Sequence, residues 1–431
     1  MSEPEVSDLL TVDQAISIID STPLEALVAD VPLQDARGLV LAEDLSADRD
    51  YPPFDKSLMD GFAVRSADVK SIPAELKLVS EIPAGAAAER ALQAGEAMAI
   101  MTGAPLPQGA DGVVPVENVA DASVGIGATV RILRADLPQR YVSRAGADMR
   151  AGTLVLKAGI RMESPQLAVA ATIGAARLKV HPLPRVAIFS TGNELVGFDR
   201  KPELTQTRSS NNIMLTALLH RLHARPVDMG MIPDKPEAIR QALIRGMMLD
   251  ALIVTGGMSM GKYDFVPGLL GELGVEMKIR KLRIKPGKPF IFGIIDRASI
   301  QSHLKKWEEM PIPGDPSGPC YVFGLPGNPV SGFVCTLRLV SRLLSRLGGS
   351  MPQDNWLPAR LAAPVAPNGP REFYQPATLE YAPDGLVAHP LDWKGSADVF
   401  TLANADALIL RPENAPALAA GATVPCLKFA L

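Results

Sequence analysis

The sequence predicts a multidomain protein of the α/β plus β class whose largest unit is a doubly wound α/β domain. A single hydrophobic core rarely grows beyond about 250–300 residues, so a chain of 431 residues should form several domains. Between residues 184 and 346, buried apolar runs alternate with amphipathic helical segments, as in a largely parallel sheet. Elsewhere, short apolar runs separated by glycine and proline indicate β-rich domains.

Changes in this pattern divide the chain into four regions. Residues 1–50 and 150–183 contain helical segments and are predicted to form one discontinuous domain. Residues 51–149 have an all-β pattern and are predicted to be inserted into that domain. Residues 184–350 form the predicted α/β domain, and residues 351–431 form a small C-terminal β-domain.

Individual helices and strands follow from periodicity and capping residues. An amphipathic helix is predicted over residues 8–29, with Thr11 or Asp13 as its N-cap. A second helix is predicted over residues 164–171, with Ser164 as N-cap and Pro165 in its first position. In the α/β domain, the predicted strands are residues 185–189, 227–231, 251–254, 289–294 and 321–323. The predicted helices there are residues 211–222, 235–247, 264–273 and 329–346.

The composition argues against nucleic acid and membranes as partners. A net charge of −4 and an aromatic content of 5% offer neither a cationic nor a base-stacking surface. No apolar run approaches the roughly 18–20 residues that span a bilayer. The 3 cysteines are sparse and odd in number, as in proteins of a reducing cytosol. We therefore expect a cytoplasmic protein.

A glycine loop and a basic segment predict a site for a phosphorylated or otherwise oxyanionic small molecule. The apolar run 250–254 is followed by Gly256 and Gly257, and residues 278–288 are rich in lysine and arginine. Glycines after a buried strand let backbone N–H groups approach a phosphate, and basic residues neutralise its charge. For the basic segment, a solvated strand face is the alternative interpretation.

Polar loops follow the predicted strands at residues 190–194, 255–264 and 324–329. Ligands of doubly wound sheets bind beyond the carboxyl ends of the strands, so these loops predict a site at one edge. Glu194 and Asp264 are candidate Mg²⁺ ligands, because Mg²⁺ takes one or two carboxylates with phosphate oxygens and water. Helix capping explains either carboxylate equally well. Asn328 is predicted to cap a helix begun by Pro329.

Several segments, taken in order, resemble the molybdopterin molybdenumtransferase family, the group of MoeA and the gephyrin E domain. They are PFDKSLMDGFAVR (53–65), AIMTG (99–103), GADGVVPVE (109–117), STGNEL (190–195), TGGMSMGKYD (255–264), IKPGKPF (284–290), GLPGNPVS (324–331) and GSADVFTLANADALIL (395–410). Each segment alone is weak; a turn at Asp60-Gly61, for example, would also fit a β-hairpin. Together, and in family order, they are highly specific.

The resemblance implies a fold and an activity. The fold is an elongated discontinuous domain, an inserted β-domain, a molybdopterin-binding α/β domain and a C-terminal β-domain. The activity is the Mg²⁺-dependent insertion of molybdate into adenylylated molybdopterin, which releases AMP and gives molybdenum cofactor. The implied assembly is a homodimer with its active site between protomers. A molybdopterin adenylyltransferase and the chaperones of acceptor molybdoenzymes are further expected partners.

The resemblance also assigns residues to roles. The expected catalytic residues are Asp60, Thr102, Glu194, Asp234, Asp264, Lys285 and Lys288, of which Glu194 and Asp264 would bind the metal. The expected substrate-binding residues are Asp148, Gly256, Gly257, Ser259, Pro326, Pro329, Arg371 and Ser396. Residues 296–319 exceed the family's usual connection and are predicted to be a proline-rich surface insertion.

Two other functions fit part of the same pattern. The related adenylyl transfer uses the same type of α/β domain, but the additional regions 51–149 and 355–431 speak against it. A non-enzymatic scaffold is the other alternative, and the intact acidic and lysine positions favour catalysis over it. The choice between molybdate and tungstate stays open.

Overall fold

The computed structural model describes residues 9–24, 26–136, 138–258, 265–304 and 318–429. The first helix, α1, runs over Val12–Ser21 and is shorter than predicted. Thr11 is its N-cap: its hydroxyl accepts a hydrogen bond from the N–H of Gln14 at 3.1 Å, and Gln14 Oε1 accepts one from the N–H of Thr11 at 2.9 Å. The helix ends before Pro23, because proline disfavours helical geometry in the residue that precedes it.

The region predicted to be inserted is built around a five-stranded sheet. Three strands precede this region: β1 (Ala29–Pro32), β2 (Val40–Leu41) and β3 (Leu45–Ser46). The region itself contains β4 (Lys56–Ser57), β5 (Gly61–Val64), β6 (Ala74–Ile82), β7 (Glu96–Ile100), β8 (Gly112–Pro115), β9 (Thr129–Ile132) and β10 (Val142–Ser143). The sheet has the order β8-β5-β7-β6-β9, and β4 pairs separately with β10. The β-hairpin considered at Asp60-Gly61 is therefore not formed. Gly61 begins β5, where an added Cβ would overlap the carbonyl of Val114 on β8.

The chain then returns to its first segment. The returning elements are β11 (Leu154–Leu156), α2 (Ser164–Thr172) and β12 (Arg177–His181). Strand β12 pairs with β1 and β2, and β11 pairs with β3, so the two flanks share sheets across the intervening region. The predicted N-cap of α2 is wrong by one residue: Glu163 is the N-cap, and proline sits in the first turn, where a missing N–H costs no helical bond.

The α/β domain contains a six-stranded sheet in the order β16-β13-β17-β21-β20-β18. Its elements are β13 (Arg185–Thr191), β14 (Leu195–Val196), β15 (Thr207–Arg208), α3 (Asn211–Arg221), β16 (Arg225–Ile232), α4 (Pro236–Gly246), β17 (Ala251–Thr255), α5 (Val266–Glu272), β18 (Glu276–Lys281), β19 (Ile284–Lys285), β20 (Pro289–Asp296), α6 (Arg297–Leu304), β21 (Pro319–Leu325), α7 (Pro329–Cys335) and α8 (Ser341–Leu347). Alternate residues of β17 enter two different cores, Ile253 on one face and Leu252 on the other, as in a sheet covered on both sides.

Three details of this domain differ from the prediction. Strands β16, β13, β17 and β21 are parallel to one another. Strand β20 runs antiparallel to both of its neighbours, β21 and β18. The link from β18 to β20 is too short for the helical crossover that a parallel pair requires. The single helix predicted over 329–346 is divided by a π-helical segment, Thr336–Val340. Helix α6 occupies the start of the predicted insertion, and residues 305–317 lie outside the described residues.

The C-terminal domain is a closed β-barrel. Its elements are β22 (Trp356–Leu361), β23 (Glu372–Ala382), β24 (Gly385–Pro390), α9 (Val399–Ala403), β25 (Ala407–Arg411) and β26 (Thr423–Lys428). The strands pair in the order β23-β24-β22-β26-β25, and β25 pairs back to β23. Strand β19 of the α/β region adds to the outside of this barrel by pairing with β23. None of the described helices is long and apolar enough to cross a membrane.

Candidate active site

A cleft of about 840 Å³ lies beyond the carboxyl ends of the parallel strands. Its walls come from the loops after β13, β17 and β21 and from the amino end of α3. Ala397, Val399 and Phe400 of the C-terminal domain close one side. The three polar loops singled out in the sequence therefore meet at one place, as ligand-binding loops of doubly wound sheets do.

The glycine loop after β17 is pressed against the loop after β13. Gly256 and Gly257 have φ of +86° and +63°, a conformation that side chains with a Cβ rarely adopt. A Cβ on Gly256 would overlap the carbonyl oxygen of Thr191, and one on Gly257 would lie 3.1 Å from Thr191 Cγ2. Gly256 also donates its N–H to the carbonyl of Leu325 at 3.2 Å. Both glycines line the cleft with bare backbone.

Asp234 fixes the loop that follows β13. The Thr191 hydroxyl donates to Asp234 Oδ1, and the N–H of Asn193 donates to Oδ2 at 3.1 Å. The N–H of Asp234 donates in return to Asn193 Oδ1 at 3.1 Å. Asp234 lines the cleft, but both of its carboxylate oxygens already accept hydrogen bonds from the protein.

Glu194 also lines the cleft and has a more open carboxylate. It precedes strand β14 rather than a helix, so the helix-capping explanation for this residue is wrong. The carboxylate lies over Gly192, where an added Cβ would come within 2.6 Å of Oε1. Within the described part of the chain, the Glu194 side chain makes no hydrogen bond or ion pair. It is therefore the carboxylate in the cleft best able to take a cation.

The other predicted residues of the glycine loop, Ser259 and Asp264, lie outside the described residues. Among the residues that are described, no group of three or more His, Cys, Asp or Glu side chains could hold a metal. Among the described residues of the cleft, Glu194 is thus the candidate ligand with an open carboxylate, and Mg²⁺ usually takes one or two carboxylates together with oxygens of substrate and water.

The loop after β21 is joined to the C-terminal domain through Ser396. Pro326 and Pro329 line the cleft, and Asn328 is the N-cap residue of α7, as predicted. Its side chain does not cap the helix: Asn328 Nδ2 donates to Ser396 Oγ at 2.8 Å. The N–H of Val330 donates to the carbonyl of Ser396 at 3.1 Å. Ser396 thereby holds the C-terminal domain against this wall.

The predicted basic residues Lys285 and Lys288 are not among the described residues that line the cleft. Lys285 Nζ lies 4.5 Å from the ring centroid of Phe373 and 6.0 Å from that of Trp393. These two rings stack with centroids 5.3 Å apart. Arg371, also predicted to bind substrate, is half-buried nearby on the barrel, and its carbonyl accepts a hydrogen bond from Asn368 Nδ2 at 2.8 Å.

Asp60 and Thr102 meet on the surface of the inserted region. The N–H and the hydroxyl of Thr102 both donate to Asp60 Oδ1 at 2.7 Å. These bonds hold the pKa of the Asp60 carboxyl below its usual value, the backbone bond contributing most. Asp148 is exposed, and its N–H donates to the carbonyl of Tyr51 at 2.9 Å. None of these three residues lines the cleft among the residues described.

Three family models together cover most of the chain. The "MoeA N-terminal region (domain I and II)" matches residues 10–174, the "Probable molybdopterin binding domain" matches 187–346, and the "MoeA C-terminal region (domain IV)" matches 358–429. A "Molybdopterin molybdenumtransferase" of Nostoc sp. is 33% identical over 410 residues, which cover 93% of this chain and 88% of the relative. The chain belongs to the molybdopterin molybdenumtransferase family.

Further comparisons agree with this membership. A "Molybdopterin molybdenumtransferase 2" of Mycobacterium tuberculosis is 34% identical over 414 residues, which cover 91% of this chain and 92% of the relative. A crystal structure of the molybdopterin biosynthesis MoeA protein from Pyrococcus horikosii superimposes with a TM-score of 0.79 at 29% identity. It covers 98% of this chain and 99% of that one. The predicted multidomain α/β plus β fold is confirmed, and the chain is a member of an enzyme family of molybdenum cofactor biosynthesis.

One wall of the molybdenumtransferase cleft was not predicted. It consists of Thr207, Arg208, Ser209, Ser210 and Asn211, which lead into helix α3. The available signal was a serine pair directly before a predicted helix, a position where backbone N–H groups are free to bind an anion. The anion site was instead predicted at the glycine loop and at residues 278–288, which are rich in lysine and arginine.

Proposed function

We propose that this protein inserts molybdenum from molybdate into adenylylated molybdopterin, with release of AMP and formation of molybdenum cofactor. The observation that carries the proposal is the cleft, where bare glycine backbone, two carboxylates and a wall of the C-terminal domain converge. The names of the relatives describe molybdenum transfer to molybdopterin. A cleft of about 840 Å³ also fits the size range of small-molecule sites, roughly 300–1,000 Å³.

The glycine loops supply a surface on which a flat heterocycle and its phosphates can lie close to the backbone. Gly256 and Gly327 are neighbours: a Cβ on Gly327 would lie in van der Waals contact with Gly256 Cα, at 3.6 Å. Pro326 and Pro329 add apolar contacts at the same wall. In the proposed complex, the reacting groups are held by loops that are hydrogen-bonded to one another, and positioning is the main contribution of the protein.

Mg²⁺ is the proposed metal, and Glu194 is the residue that would hold it. The open carboxylate of Glu194 is the hard oxygen ligand that Mg²⁺ prefers, and Asp264 is the second proposed ligand. When bound, the ion offsets negative charge on phosphate oxygens. The chain's own contribution is to fix the loop: Asp234 holds Thr191 and Asn193 and so keeps the neighbouring Glu194 pointed into the cleft.

Asp60 and Thr102 are proposed to complete the site from a second copy of the chain. Large apolar side chains are exposed around this pair, where a monomeric protein would usually carry polar residues. They are Phe54, Leu58, Met59, Met101 and Val116. A homodimer that buries this apolar surface against the cleft would also bring a carboxylate to it. Lys285 and Lys288 remain the proposed molybdate-binding residues.

The proposed setting is a biosynthetic pathway in the cytoplasm. All three cysteines are buried and free of disulfides, which suits a reducing compartment. A molybdopterin adenylyltransferase would supply the substrate, and chaperones of acceptor molybdoenzymes would take the product.

The test is a reconstituted reaction with the purified full-length protein, Mg²⁺, molybdate and adenylylated molybdopterin. Chromatography should show AMP released in step with molybdate consumed, and both should stop when molybdate is omitted. Release of AMP without molybdenum incorporation, or no release at all, would contradict the proposal. Formation of adenylylated molybdopterin from ATP and molybdopterin would favour the related adenylyl transfer.

A further inference from the structure

Arg208 is the one basic side chain among the described residues that line the cleft. The acidic residues of the same lining are Glu194 and Asp234. A substrate that carries phosphate groups therefore meets attraction at Arg208 and repulsion from the uncompensated carboxylates. Arg208 is thus the position in this lining that attracts a phosphate.

The guanidinium of Arg208 is held in place but keeps its outer donors. Its Nε–H donates to the carbonyl of Arg200 at 2.9 Å, and its backbone belongs to β15, in register with Val196 of β14. Its two terminal amino groups make no hydrogen bond or ion pair within the described part of the chain. A guanidinium fixed in this way presents the planar fork that binds two oxygens of a phosphate at once.

The amino end of helix α3 adjoins Arg208 at the same wall. The helix has 11 residues, and Ser209, Ser210 and Asn211 all line the cleft. No side chain caps its first N–H groups. Helix N-termini attract anions through free N–H groups and the helix dipole.

Asn211, the first residue of the helix, is 8% exposed. Its Nδ2 donates to the carbonyl of Gly327 at 2.7 Å, which fastens the helix to the loop after β21. Its Oδ1 is buried at the cleft wall and has no hydrogen-bond partner. Buried polar atoms are nearly always paired, and an amide oxygen can only accept, so this unpaired oxygen indicates that a hydrogen-bond donor of the ligand, such as a hydroxyl group, completes the wall beside the phosphate.

We infer that Arg208 and the amino end of α3 bind a phosphate group of the substrate. The inference rests on the proposed function and deepens it, because it names the residues that receive the phosphate. Adenylylated molybdopterin offers two such groups, one on the adenylate and one on the pterin side chain.

The experiment measures binding of matched ligand pairs by titration calorimetry with the full-length protein. One pair is AMP and adenosine; the other is neopterin monophosphate and neopterin. The variants are Arg208→Ala and Arg208→Lys, and the control is Lys201→Ala, an exposed cation of the segment before β15 that does not line the cleft. Thermal melting of each variant checks that the fold is retained.

Arg208→Ala should weaken the phosphorylated member of one pair by about tenfold or more, because charge-assisted hydrogen bonds are lost. The phosphate-free member should be unchanged, and Arg208→Lys should recover only part of the loss, since lysine lacks the fork. The pair that responds identifies the phosphate, adenylate or pterin. The control should change neither pair.

Equal weakening of phosphorylated and phosphate-free ligands, or no weakening of either, would overturn the inference. A wild-type protein that binds none of the ligands and releases no AMP would overturn the proposed function together with it. A protein that performs the reaction while Arg208→Ala binds every ligand normally would overturn the inference alone.

Discussion

Thr102 donates two hydrogen bonds to a single oxygen of Asp60, one from its backbone N–H and one from its hydroxyl, each 2.7 Å long. Both bonds favour the ionised carboxylate and so lower the pKa of Asp60. A group with a lowered pKa in the folded state contributes its stability fully above its usual pKa, about 3.9 for aspartate, and loses it as the pH falls through the folded value. Asp60 therefore stays anionic at every pH at which the enzyme would work.

Replacement of Thr102 by valine should raise the pKa of Asp60 without restoring its usual value. The variant keeps the backbone bond, which is the larger cause, and loses the hydroxyl. Carbon-13 NMR of labelled aspartate carboxyls, with the Asp60 signal assigned from Asp60→Asn, measures the shift. Thr129→Val, an exposed position on β9, is the matched control. An unchanged Asp60 titration in Thr102→Val would contradict the hydrogen-bond assignment.

Glu194→Gln should abolish the response of the enzyme to Mg²⁺. The amide keeps the shape of the side chain but lacks the charge that a hard cation needs, so AMP release at saturating substrate should fall by about a hundredfold or more. Glu203→Gln alters an exposed carboxylate of the next loop, between β14 and β15, and should leave the rate unchanged. The rate of AMP release is measured for both variants as a function of Mg²⁺ concentration. The same activation curve for both variants would show that Glu194 is not a ligand of the metal.

Gly256→Ala should destabilise the protein by about 1–3 kcal/mol. The substitution forces a Cβ into a conformation with φ of +86° and against the carbonyl of Thr191. Gly268→Ala is the control, because Gly268 lies in α5 with no atom within 4 Å of an added Cβ. There alanine should stabilise by up to about 1 kcal/mol. Urea unfolding measures both; equal effects would contradict the described contact between the two loops.

Lys285→Met should lower both stability and activity. The ammonium lies 4.5 Å from the Phe373 ring, a contact worth about 0.5–1 kcal/mol, and the proposed oxyanion site loses a charge, which should cost at least about tenfold in rate. Lys278→Met removes a lysine of the same basic segment that instead pairs with Glu276, and it should change neither quantity appreciably. A Lys285 variant with normal molybdate-dependent activity would leave the residue a purely structural role.

The α/β core was predictable because its pattern is local. The run Ala251–Thr255 is buried at every position, as its continuous apolar character indicated, and the flanking helices have clear amphipathic faces. The polar loops at the ends of these strands followed from the same logic. Their convergence in one cleft could be predicted because ligands bind at the carboxyl edge of such a sheet.

The failures have non-local causes. The hairpin considered at Asp60-Gly61 was wrong because Gly61 is required by a strand remote in sequence, at Val114. The basic segment divides between two domains, since Lys285 joins the C-terminal barrel through Phe373. Nothing in the sequence around Arg208 distinguishes it from other surface arginines, and only the folded chain places it at the cleft. Sequence periodicity reports local structure, so it does not predict which distant segments pair.

The central claim is that the reaction takes place in a cleft completed by a second copy of the chain, and mixed dimers test it most directly. Asp60→Asn and Glu194→Gln protomers, each inactive alone, are unfolded together in equal amounts, refolded and assayed for molybdate-dependent AMP release. If Asp60 acts on the cleft of the other protomer, half of the dimers contain one intact site, and about a quarter of the wild-type activity should return. If no activity returns although the mixed dimers form, each site uses the Asp60 of its own protomer, and the composite site is wrong.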